Sequence, residues 1–203
     1  MYKIGRGLFR FIFSALCRWK VSGEENLPVE GPVVVVANHA SLWDPMVVGA
    51  AMRRKVFFMA KEELFRYPVV STIIRSWGAF PVKRGRSDRA AIKNSMEVLK
   101  RGDVLGIFPE GRRSMTGDLG KFNPGAVHLA AKFGASILPV GLVGTKKIFC
   151  RGWFRSFSVN IGKPIDTLGL EDGKKQLSLE DLNNRVREEV AELVRTADVR
   201  INS

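Results

Sequence analysis

Five consecutive apolar residues, Val33-Val34-Val35-Val36-Ala37, constrain this chain most. A short apolar run without polar interruption reads as a buried strand. Around it, strand-like and helix-like segments alternate. A helix is expected from about Tyr2 to Lys20, and another opens at Pro45 and runs to about Arg53. A short strand follows at Val56–Met59, and Glu62–Trp77 reads as helical with an interruption at Pro68. Next come a strand at Ala79–Val82, a helix over Ser87–Arg101 with Ser87 as its cap, and a strand at Val104–Phe108. A helix from Pro124 to Phe133, strands at Ile137–Val140 and Phe157–Ile161, and a charged amphipathic helix at Leu179–Val199 complete the order. Strands alternating with helices predict an α/β fold, a single layered domain with a largely parallel central sheet flanked by helices. At 203 residues the chain is long enough to bury a sizeable core in one domain.

Directly after the first strand stands Asn38-His39-Ala40-Ser41-Leu42-Trp43-Asp44-Pro45, holding one of the chain's two histidines. Strand exits of open α/β sheets are where reacting groups gather. A neutral imidazole accepts a proton near pH 7, because its free pKa is about 6.5. A carboxylate on the other ring nitrogen would fix the tautomer and stabilise the imidazolium. His39 and Asp44 are five apart, so a continuous helix would separate them. Pro45 disfavours helical geometry at Asp44, and Asp is a favoured residue just before a helix with proline at its first position. His39 is therefore expected on the loop and Asp44 at the mouth of the next helix, with a turn bringing them together. A packed histidine beside a capping aspartate is the alternative reading of the same residues.

Charge narrows the partners. Thirty-three Lys and Arg against 20 Asp and Glu give a net charge of +13, a field that attracts polyanions. Nucleic acid, anionic membrane and phosphorylated small molecules all fit that field. The two cysteines, Cys17 and Cys150, form no framework and have no metal-ligand company, so both read as reduced thiols. The first twenty residues, MYKIGRGLFRFIFSALCRWK, are too short in apolar core for export and far below the roughly 20 apolar residues of a spanning helix. Wound as a helix they place Ile4, Leu8, Phe11, Ile12, Ala15, Leu16 and Trp19 on one face and Lys3, Arg6, Arg10 and Arg18 opposite. Packing on the protein's own core is the common fate of such a stripe. The wide apolar arc and wholly basic polar side favour a helix lying in a membrane interface. Residues 1–22 are thus expected as a docking segment, with the main domain over 23–203.

Three further clusters each follow a predicted strand. Phe80-Pro81-Val82-Lys83-Arg84-Gly85-Arg86 ends in three cations within four residues, suited to phosphate. Phe108-Pro109-Glu110-Gly111-Arg112-Arg113-Ser114 sets a carboxylate beside two arginines, inviting an ion pair in which Glu110 orients an arginine toward an anion. Gly111 there lets backbone amides approach closely. Ile137-Leu138-Pro139-Val140-Gly141 is a buried strand with a proline. His128, inside an apolar helix pattern, reads as a packed or partly exposed histidine.

In this order and spacing the four blocks resemble the glycerophospholipid acyltransferase family, over about Gly23 to Gly162. Asn38-His39 to Asp44-Pro45 is similar to its His-x4-Asp signature, Phe80 to Arg84 to its second block, Phe108 to Ser114 to its third and Leu138 to Val140 to its fourth. Arg112 stands where the family usually has threonine, and Asn123 where lysine is common. The resemblance implies an enzyme that moves a fatty acyl group from a thioester, acyl-CoA or acyl carrier protein, to the free hydroxyl of lysophosphatidic acid, giving phosphatidic acid in phospholipid synthesis. Glycerol 3-phosphate or another lysophospholipid is the alternative acceptor. It implies His39 and Asp44 as catalytic residues, and Lys83, Arg84, Glu110, Gly111 and Arg113 as substrate-binding residues. No metal or other cofactor and no nucleic acid is expected. The expected setting is the cell membrane, peripheral or monotopic on the cytoplasmic face, against anionic lipid. A direct attack by the acceptor hydroxyl needs no acyl-enzyme, which accords with the lack of a serine or cysteine nucleophile beside His39. A non-catalytic basic binding module would leave His39, Asp44 and Glu110 without a role. A serine hydrolase would need a Gly-x-Ser-x-Gly elbow, which the sequence lacks.

Overall fold

The computed structural model describes residues 2–83, 88–114, 116–150, 153–167 and 178–202, without the side chains of 150 and 198–202. Its helices are α1 (Tyr2–Cys17), α2 (Asp44–Ala51), α3 (Pro68–Ser76), α4 (Arg89–Lys100), α5 (Gly125–Phe133) and α6 (Leu179–Asn202). Its strands are β1 (Lys20–Ser22), β2 (Val33–Ala37), β3 (Val56–Lys61), β4 (Ala79–Val82) and β5 (Val104–Ile107), then β6 (Ser136–Val143), β7 (Phe149–Cys150), β8 (Trp153–Phe154) and β9 (Ser158–Ile161). Seven strands form one sheet in the order β1-β9-β6-β2-β5-β3-β4. The five from β6 to β4 run parallel; β9 is antiparallel to β6, and β1 follows β9.

The valine run becomes β2 at the middle of this sheet because both of its faces are covered. Val33, Val35 and Ala37 join a core with Phe13 of α1 and Val47 and Val48 of α2. Val34 and Val36 join the opposite core, with Val98 of α4, Val127 of α5 and Leu182 of α6. Each such side chain contributes roughly 1.5–3 kcal/mol by leaving water, which is what makes this strand the centre of the sheet.

The structure departs from expectation where elements are short or end abruptly. α1 stops at Cys17, Arg18 turns the chain at φ 45°, and Lys20–Ser22 pair with β9 as an edge strand. Three residues are too few to show a strand period. The expected boundary at residue 22 thus falls at the end of a strand of the main sheet, and Phe13 and Cys17 are buried in its core. Pro68 splits the Glu62–Trp77 stretch into a 3₁₀ turn, Glu62–Arg66, and α3, with Tyr67 extended between them. The residue before a proline is pushed out of helical geometry, and proline itself is tolerated at a helix start. α4 is capped by Asp88, whose Oδ1 accepts from the backbone N–H of Ala90 and Ala91. Ser87, the expected cap, lies outside the described residues. The β7–β8 hairpin has no periodic signal and was not anticipated.

Candidate active site

Parallel strands share an exit edge, so the loops after β2, β4 and β5 emerge on the same side of the sheet. His39 leaves β2 and is buried, with Nδ1 at 2.8 Å from Asp44 Oδ2. Asp44 does not cap α2. It is that helix's first residue, while Trp43 holds the cap position in helical geometry with no side-chain cap bond. The Asp44 carboxylate turns back instead, and Oδ2 also accepts from the backbone N–H of Ala40 and Ser41, each at 2.7 Å. Those two amides curl the loop so that His39 arrives at the same oxygen, which is the physical content of the five-residue spacing. A carboxylate oxygen only accepts, so this bond assigns the proton to Nδ1 and leaves Nε2 with a free lone pair. The second oxygen, Oδ1, is buried without a hydrogen-bond partner among the described residues. The Ser41 hydroxyl accepts from Trp43 N–H at 3.2 Å and shapes the same turn.

The loop after β5 clasps His39 by its backbone. Gly111 sits at φ 70°, a left-handed geometry that suits glycine, and its N–H closes a turn onto Phe108 O at 3.1 Å. This throws the Glu110 carboxylate toward β2, where Oε1 accepts from His39 N–H at 2.9 Å and Oε2 from Gly120 N–H at 3.3 Å. Ser114 N–H donates to His39 O at 2.8 Å. Both backbone polar groups of His39 are thus held by one neighbouring loop. The expectation that Glu110 pairs with an arginine is corrected here: its oxygens are taken by backbone amides. Arg112 and Arg113 are exposed and without an ion pair among the described residues. Because β5 lies beside β2, the carboxylate meets the β2 exit before it meets its sequence neighbours.

Phe108, the last member of this arrangement, stacks on the imidazole with centroids 4.3 Å apart and planes 21° apart. Phe58 of β3 stacks behind Phe108 at 5.8 Å. Gly106 makes room for Phe58, since a Cβ there would lie 2.1 Å from that ring. On the other flank Asn38 donates to Leu142 O and accepts from Leu142 N–H, at 2.9 and 2.8 Å, binding the β2 exit to β6 where the strand ladder has ended. Phe108, Ser114 and Asn38 are parts of the site that sequence reasoning assigned no role; a strand-exit position beside β2 is the signal that marks all three. Leu138-Pro139-Val140 is the β6 segment paired with β2.

Of the remaining expected residues, Lys83 follows β4, three strand steps from β2 on the sheet. At about 4.8 Å per strand step that is roughly 14 Å of sheet. Its ammonium is exposed and lies 3.8 Å from Glu62, an ion pair worth little in water. Arg84 lies outside the described residues. The start of that loop is tied down, since Asp88 Oδ2 accepts from Lys83 N–H at 2.7 Å. That bond first, then those from Ala91 and Ala90, holds the Asp88 carboxyl below the usual aspartate range. His128 is exposed, donating from Nδ1 to Pro124 O at 2.8 Å, and lines the cavity described below. Cys17 is a free buried thiol, and burial pushes its pKa up. Among the described residues no three His, Cys, Asp or Glu side chains cluster as a metal site.

Beneath Phe108 and Pro109 a cavity of about 410 Å³ opens between the sheet and helices α4 and α5. Met59, Ile92, Met96, Ile107, Ala126 and Leu129 give it an apolar lining, and Gly111 and Asn123 connect it to the clasping loop. Its lining suits an aliphatic chain, and Phe108 is the residue it shares with the imidazole stack.

A buried imidazole bonded to a carboxylate thus stands at the strand exits, and Phe108, the ring stacked on it, also lines an apolar cavity. The acyltransferase family model matches residues 18–143, and the chain belongs to that family. It is 31% identical over 185 residues to the 1-acyl-sn-glycerol-3-phosphate acyltransferase of Borreliella burgdorferi, covering 88% of this chain and 72% of that one. It is 30% identical over 196 residues to the enzyme of that name from Bacillus subtilis, covering 93% and 96%. The crystal structure of the 1-acyl-sn-glycerophosphate (LPA) acyltransferase PlsC from Thermotoga maritima superposes with a TM-score of 0.80 at 30% identity, over 96% of this chain and 78% of that one.

Proposed function

We propose that this acyltransferase moves a fatty acyl group from a thioester to the free hydroxyl of lysophosphatidic acid, releasing a thiol and giving phosphatidic acid. The observation that carries this reading is the His39–Asp44 pair, with Nδ1 bound at 2.8 Å and Nε2 left to accept. Nε2 takes the acceptor's hydroxyl proton as its oxygen attacks the thioester carbonyl. The tetrahedral intermediate then expels the thiolate, which recovers the proton from the imidazolium. Asp44 balances the charge formed between those steps. Glu110 and Ser114 hold the ring's backbone, so they position the base. Arg113, one residue from the Ser114 bond, grips the acceptor's phosphate together with Lys83, Arg84 and the amide region of Gly111. The cavity behind Phe108 takes a fatty acyl chain.

The donor is acyl-CoA or an acyl carrier protein. The enzyme works at the cell membrane, peripheral or monotopic on the cytoplasmic face. Residues 1–22 supply the docking segment: Ile4, Leu8, Phe11 and Leu16 of α1 face outward while Phe13 and Cys17 hold it to the core. No helix of the described residues is long and apolar enough to cross a membrane.

Purified enzyme with an acyl thioester should release thiol only when a lysolipid acceptor is added. His39→Ala should cost on the order of 10²–10⁴ in turnover while the circular dichroism spectrum stays native. Thiol release without acceptor would make the protein a hydrolase. An acceptor panel that favours glycerol 3-phosphate or another lysophospholipid would move the acceptor assignment and leave the transfer intact.

A further inference from the structure

α3 spans nine residues and buries none of them. A helix of a globular protein normally turns its apolar stripe to the core. Here Val69 is 73% exposed and Ile73 54%, and Tyr67 just before the helix is 64% exposed. Leu64 in the preceding 3₁₀ turn and Val70 are exposed as well. Among the described residues, nothing buries the apolar side of this element.

The charges around it choose the partner. The two acids of the 3₁₀ turn are each neutralised, Glu63 by Lys61 at 3.2 Å and Glu62 by Lys83 at 3.8 Å. Arg66 and Arg75 flank the apolar residues without an ion pair among the described residues, Arg75 lying over the Phe65 ring. An apolar surface rimmed by unneutralised arginine, on a chain of net charge +13, complements anionic lipid. Its position agrees. Trp77, immediately after α3, packs at 4.9 Å against Phe9 of α1 and lies 3.1 Å from where a Cβ on Gly5 would stand. The exposed sides of α1 and α3 therefore flank one tryptophan on the same side of the sheet.

We infer that α3 and the turn before it form a second membrane-insertion element, which lays Val69, Ile73 and Tyr67 into the headgroup region of an anionic bilayer. This rests on the reading that the enzyme works on a lipid at the membrane. With α1 alone the protein could roll about one helix axis. Two separated contacts fix a plane and so fix how the strand-exit edge meets the lipid.

The test is the double variant Val69→Gln/Ile73→Gln, which keeps net charge and helix-forming character at exposed positions. Sedimentation with vesicles of phosphatidylcholine and phosphatidylglycerol, free of lysolipid, reads docking alone. Turnover with lysophosphatidic acid in detergent micelles reads chemistry alone. The expected result is a vesicle partition coefficient lowered at least tenfold with micellar turnover unchanged. Unchanged partition would overturn the proposal. So would a native protein that sediments as a dimer and a variant that sediments as a monomer, because a second copy would then be the occupant. Absence of micellar turnover in the native protein would remove the acyl-transfer reading and leave the vesicle result standing on its own.

Discussion

Asp44 does two jobs with one oxygen. It receives Nδ1 of His39 and also the amides of Ala40 and Ser41. Asp44→Asn presents either a neutral acceptor or a donor to three donors, so the loop should loosen as well as the imidazole. The expected cost is on the order of 1–3 kcal/mol in stability, read from a denaturation midpoint, together with a fall in kcat larger than any rise in KM. Native kcat would remove Asp44 from the mechanism. The pair itself was legible in the sequence, because a histidine after a buried strand and an aspartate before proline leave few geometries. The partner of Glu110 was not legible. Its sequence neighbours are arginines, but the nearest donor in space, His39 N–H, lies 71 positions away, just past another strand.

At the scale of elements, the stack behind the imidazole draws on three adjacent strands of the sheet: His39 after β2, Phe108 after β5 and Phe58 within β3. Gly106 of β5 is the vacancy that lets Phe58 lie flat. Gly106→Ala should push that ring by overpacking, at about 1–3 kcal/mol, and should lower kcat through the displaced stack. Adding Phe58→Leu should recover stability without recovering kcat, and a double-mutant cycle measures the coupling. Additive effects would mean that the stack is incidental. The long strands and helices were readable because their apolar periods run for several residues. β1 and the β7–β8 hairpin were not, since pairs and triplets carry no period, and their existence depends on β9 and on each other. The ends of α1 and α4 were misjudged for a similar reason: Arg18 in left-handed geometry and the Asp88 cap are local choices made by what the chain meets next.

For the whole molecule, charge and apolar exposure act over different ranges. In the proposed docking, the +13 field would draw the protein toward anionic lipid, while the exposed apolar residues of α1 and α3 would insert. Vesicle affinity should therefore fall with rising salt, as the screening length shortens to about 8 Å at physiological ionic strength, and then level off at a residual set by the apolar contacts. Titrating binding against salt at two fractions of anionic lipid checks this. Affinity that vanishes at high salt would make docking purely electrostatic. The α/β class followed from alternating elements alone, but the merging of the N-terminal helix with the main core did not. Its stripe is wide enough to serve both sides, and only the fold decides which residues turn inward.

One loop carries both the support of His39 and the side chains of Arg112 and Arg113, but by different atoms. Glu110 and the Ser114 amide hold the backbone of His39, the proposed base, while Arg112 and Arg113 are exposed. Replacing either arginine therefore leaves the clamp on the ring untouched. On the proposed roles, taste for one phosphorylated alcohol over another would drift along this stretch without retuning the base, so diversification of acceptors should concentrate there and spare the residues on either side.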